Sequence, residues 1–136
     1  MNRILVVGSL ALAVLCVAVS VSTTNGSEPT TRTFAHDVYF TLNESTPEAR
    51  QQLVDACQTH LSGHEGAVFF AAGTRATEMK RDVNDGDFDV SLHIYFRDAA
   101  AHEAYQAHPR HAEFIEKMQD NWKTVRVFDS WVETNP

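Results

Sequence analysis

Residues 88–96, FDVSLHIYF, alternate without a break. Phe88, Val90, Leu92, Ile94 and Phe96 fall on one side; Asp89, Ser91, His93 and Tyr95 fall on the other. Successive side chains of an extended chain point to opposite faces, so the pattern predicts a strand with one apolar face, where a helix would scatter those five residues around its circumference. Residues 33–42, TFAHDVYFTL, do the same, with Phe34, His36, Val38, Phe40 and Leu42 opposite Ala35, Asp37, Tyr39 and Thr41. Two such strands need a partner layer for each apolar row.

The remaining segments supply it. GAVFFAAGT (66–74) and VRVFDSWV (125–132) predict two further strands. Ser45-Thr46-Pro47-Glu48 combines a capping hydroxyl, a first-turn proline and an acidic first turn; Leu53, Val54, Cys57 and Leu61 follow at helical spacing until Gly63. Asp98 caps an alanine-rich helix running to about Ala107. Pro109 opens another, with His111, Phe114, Ile115, Met118 and Trp122 along one side. The polar loop 76–87 ends in Asn84-Asp85-Gly86-Asp87, which lacks the glycine register and final glutamate of a calcium loop and reads as a solvated turn.

The order strand, helix, strand, strand, helix, helix, strand predicts an α+β fold: a ferredoxin-like, four-stranded antiparallel sheet with helices on one face. The other face would carry Tyr39, His93 and Tyr95, joined by Phe128 or Trp131. That is more aromatic surface than a monomer leaves wet, so a homodimer through the open sheet face is expected, as in a dimeric α/β barrel.

Residues 1–22 have Arg3, then a long apolar run, then Ala18-Val19-Ser20 and Ser20-Val21-Ser22 as small-residue exits. These are the parts of a signal peptide, and they predict export to the periplasm or the medium. Ile4 to Val21 is also just long enough to remain as a membrane anchor, the alternative reading. Residues 23–32 form a polar linker, and 33–133 the folded domain. Cys16 leaves with the signal and Cys57 stands alone on an apolar helix face, so no intramolecular disulfide is expected. The net charge of −7 becomes −8 once Arg3 is removed. An acidic domain with no basic stripe excludes nucleic acid and anionic membrane surfaces as partners of the mature domain.

Residues 104–111, AYQAHPRH, bring Tyr105, His108 and His111 around one proline. On residues alone, His111 turns toward the sheet with Phe114 and Met118, where desolvation and the helix N-terminus favour the neutral ring, a general base. Tyr105 offers a hydroxyl to a developing oxyanion. His36, Val38, Phe40, Leu53, Cys57, Leu92, Trp122 and Val125 are the expected pocket walls around a small apolar ligand. A purely structural role for the junction is the competing reading, with the tyrosine and histidines bonding helix ends. The histidine pairs His60/His64 and His108/His111 come with no cysteine pair or H-E-x-x-H, so no metal and no cofactor is expected.

From about Phe34 to Val132 the chain resembles the stress-responsive A/B-barrel (Dabb) family. The resemblance rests on HDVYF in the first strand (His36), FDVSLHIYF, the Y-x-x-H-P-x-H junction and the pattern of Trp122, Phe128 and Asp129. It implies a small dimeric α+β barrel. For most members it implies no assigned activity; for a few it implies a cofactor-free cyclase or aldolase in which Tyr105 and His111 would be acid and base.

Overall fold

A computed structural model describes residues 31–134 of the chain. Elements run β1 (Thr31–Leu42), α1 (Pro47–Leu61), β2 (Ala67–Thr74), β3 (Val90–Phe96), α2 (Ala99–Gln106), α3 (Pro109–Met118), a 3-10 turn (Gln119–Asn121) and β4 (Trp122–Thr134). The strands form one antiparallel sheet in the order β2-β3-β1-β4, the ferredoxin-like arrangement. The expected signal peptide and most of the expected linker lie outside the described residues; β1 takes in Thr31 and Arg32, the last two residues read as linker.

The alternation dictates what is buried. Val38, Phe40 and Leu42 of β1 and Val90, Leu92, Ile94 and Phe96 of β3 are all at most 4% exposed and pack under the helices with Leu53, Cys57 and Leu61 of α1 and Phe114 and Met118 of α3. Burial pushes the Cys57 thiol up to about 12, so it sits as inert filler. Thr46 caps α1 by accepting from the Ala49 N–H, and Asp98 caps α2 through the Ala101 N–H. Gly66 has φ +82, and a Cβ there would meet the Ala101 Cβ at 2.5 Å, so glycine lets α2 lie against the start of β2.

Two local readings are corrected. The apolar alternation does not include Phe88: β3 begins at Val90, because Asp89 turns its carboxylate inward to accept from the Leu42 N–H (2.8 Å) and from the Ser45 hydroxyl. Phe88 then packs edge-on against Tyr39. Trp122 is not on a helix, since α3 ends at Met118, and Trp122 starts β4 opposite Leu42.

Register also decides which residue completes the open face. Asp37 pairs with Phe128 and Phe34 with Trp131, so Phe128 joins Tyr39, His93 and Tyr95 while Trp131 belongs to the helix side. Phe69 joins them from β2, opposite Tyr95. Phe69 and Phe128 are 49% and 53% exposed, and the His93 ring holds Asp37 at 2.5 Å among them.

Candidate functional site

Beyond Trp122 the helices leave the last strand uncovered. Val125 and Val127 share a face with Phe40 and Val38, their partners across β1, yet are 37% and 48% exposed. Between this bare strip and helices α2 and α3 lies a groove of about 320 Å³. Val38, Phe40, Leu92, Val125 and Val127 of the sheet line it; Phe114 and Trp122, stacked 5.8 Å apart, form part of its wall. Its polar groups are few: His36, Tyr105, Gln106 and His111. A larger hollow of about 410 Å³, between Asp37, Tyr39, Asp85, Phe88, Arg126 and Phe128, lies on the opposite, open face.

The junction positions the groove's polar end. His108 adopts an extended backbone before Pro109, and its Nδ1 accepts from the Arg110 N–H at 3.1 Å, capping α3. Arg110 turns away to donate through Nη2 to the Thr59 and Ser62 carbonyls (2.8 and 3.0 Å) at the end of α1. His111, one residue on, points into the groove with its ring 4.9 Å from that of Tyr105. His108 and Arg110 are therefore structural, and Tyr105 and His111 are the pair that face the cavity. Desolvation first, then repulsion from His36, His64 and His102, holds the His111 imidazole below the ordinary histidine range. Desolvation pushes the Tyr105 phenol up. At neutral pH the groove thus holds a proton acceptor beside a proton donor.

The structure divides the expected pocket residues. His36, Val38, Phe40, Leu92, Trp122 and Val125 line the groove together with Tyr105 and His111. Leu53 and Cys57 do not: α1 packs directly on the sheet, and both are 0% exposed in the solid core. His60 and His64 do not share a helix face; the His64 Nε2 instead donates to the His60 carbonyl at 3.0 Å. Sequence reasoning missed a second polar group at the site. The His36 Nδ1 lies 2.7 Å from the Asp129 Oδ1, its direct partner across β1 and β4, and the His102 ring stands 4.8 Å from that of His36. The strand alternation held the signal for Asp129, which shares the face of Val127 and Trp131; nothing local pointed to His102.

Three histidines here, His64, His102 and His111, are held below 6.5, in each case chiefly by desolvation. The folded state takes up these protons less readily than the unfolded chain. No stability is lost above pH 6.5; as pH falls through that value the unfolded chain protonates first and stability declines. Urea midpoints are expected to fall from pH 7 to pH 5, and less steeply in His111→Gln. A variant with an acid limb as steep as the parent's would contradict this assignment.

A sheet with an unpartnered aromatic face, and a helix-side groove ending in tyrosine and histidine, define a ferredoxin-like α+β module of the dimeric-barrel kind. Residues 34–132 match the family model described as Stress responsive A/B Barrel Domain, and the chain belongs to that family. No curated protein matches the chain. Among solved structures it is similar to a Dabb-family protein with a ferredoxin-like fold from Mesorhizobium loti (21% identity, TM-score 0.60, covering 73% of this chain and 95% of that one). It is also similar to a dimeric ferredoxin-like protein of unknown function from Thermobifida fusca (17%, 0.62, 74% and 92%). A third is the hydroxynitrile lyase of Passiflora edulis (16%, 0.60, 76% and 97%). At these identities the structural likeness shows the fold alone.

Proposed function

We propose that the protein is an exported homodimer whose helix-side groove binds a small, mostly apolar molecule. One observation carries the binding reading: the cavity is apolar along its length, and its polar groups converge from three elements, β1, α2 and α3. A volume of about 320 Å³ sits at the small end of ligand sites. The neutral probe N-phenyl-1-naphthylamine is expected to gain fluorescence with the protein, and Val125→Trp, which fills the groove from its rim, to weaken binding at least about tenfold. Unchanged binding in that variant would remove the groove as the site.

The partner subunit covers the open face. Its aromatic residues and the dimeric state of the Thermobifida fusca neighbour support this. Light scattering at micromolar concentration is expected to give twice the mass of the mature chain, and Phe128→Glu to give half of that. A monomeric parent, or a variant that stays dimeric, would refute the interface. Export rests on residues 1–22 alone.

A second reading, cofactor-free cyclase or aldolase chemistry, is favoured by the 4.9 Å approach of Tyr105 and His111 within one cavity. His111 would take a proton from a carbon next to a carbonyl, while the Tyr105 hydroxyl bonds the enolate oxygen. The enolate carbon would attack a second carbonyl, whose oxygen receives the proton back. The likeness to the Passiflora lyase supports this in one respect only: there the same fold carries a lyase.

A further inference from the structure

We propose that His36, His102 and Asp129 form a binding site for one divalent transition-metal cation of the zinc type. Each residue offers a donor atom, and the three donors lie within 4.8 Å of one another. A cation about 2.0–2.2 Å from each donor requires them roughly 3–4 Å apart, so a small rotation of one side chain closes the set. Two imidazoles and one carboxylate are a donor set that holds zinc and leaves a fourth position for water or substrate. Calcium and magnesium demand more oxygen donors than this cluster has.

The cluster is built before any ion arrives. His36 and Asp129 are direct partners across β1 and β4, and a hydrogen bond of 2.7 Å already holds their side chains together. His102 descends from α2 and is fixed by the rings of Phe34 and Phe96, at 4.7 and 5.4 Å. Three different elements therefore fix three donors on a rigid sheet and its covering helix. Among the described residues no lysine or arginine pairs with Asp129, whose side chain is 42% exposed. A carboxylate with only an imidazole beside it attracts a cation, and its exposure gives the ion a way in. The bound cation would take the place of the hydrogen bond between His36 and Asp129.

The site does not depend on the groove's holding a small molecule, but it adjoins it. His36 lines the groove, so the fourth coordination position would open beside Tyr105, whose ring lies 5.9 Å from that of His36.

The test is equilibrium dialysis of the chelator-stripped protein against zinc chloride, with magnesium chloride as competitor. The expected result is one zinc per chain at micromolar concentration, unaffected by millimolar magnesium. His102→Ala and the near-isosteric Asp129→Asn are each expected to weaken zinc at least about tenfold, because loss of a ligand costs no less than loss of a group that merely orients one. Glu78→Gln, at an exposed position of the loop 76–87, is expected to bind as the parent does. Circular dichroism and size exclusion on each variant separate loss of the site from loss of the fold. If zinc binds no tighter than millimolar, or binds equally well to folded His102→Ala and Asp129→Asn, the proposal is wrong.

Discussion

Phe96→Ala is expected to cost about 3–5 kcal/mol of stability, the range for removing a large aromatic side chain from a packed core. Phe96 is 0% exposed at the end of β3, opposite Phe34 and Ala67 on the neighbouring strands. Its ring also backs Tyr105 and His102, at 5.2 and 5.4 Å. The void would open under both α2 side chains, where three elements meet and none can collapse without moving the others. Single domains hold about 5–15 kcal/mol in total, so the variant would survive only narrowly at room temperature. Urea unfolding measures it directly. A cost below about 1 kcal/mol would mean that the sheet and α2 relax freely, contrary to the packing described.

His111→Ala is expected to lower turnover of a cyclisable dicarbonyl substrate by about 10²–10⁴, the usual contribution of a positioned general base. Tyr105→Phe removes only the hydroxyl and is expected to cost about 10²–10³, as for a lost oxyanion donor. Neither should alter the dimer mass, and His111→Ala should still bind the naphthylamine probe. This combination separates the two functional readings. Lost turnover with retained probe binding assigns proton transfer to the pair. A substrate turned over equally fast by parent and His111→Ala would leave the groove as a binding site without that chemistry.

Much of this architecture is readable along the chain because it rests on local rules. Strict alternation in β1 and β3, the caps at Thr46 and Asp98, and the proline opening α3 each depend on residues within a few positions of one another. What escaped depends on register or on bends. Whether Phe128 or Trp131 faces the open side is settled only by pairing Asp37 with Phe128 across β4. Phe88 left the apolar row because the Asp89 carboxylate serves Leu42 and Ser45, more than forty residues away in sequence. Leu53 and Cys57 share the polarity of a pocket wall, but polarity does not say where a helix leaves room. The pairing of His36 with Asp129 spans the whole domain, and no local pattern marks it.

Arg110 gives the groove a hidden dependency. Its side chain ties two carbonyls at the foot of α1 to the residue just before His111. The bearing of that imidazole is thus inherited from α1, a helix whose Leu53 and Cys57 lie in the solid core and whose last residue, Leu61, reaches the groove. Fraying at this latch would let the ring swing while the sheet stayed intact. Heating is therefore expected to loosen the groove's polar end before it unfolds the sheet.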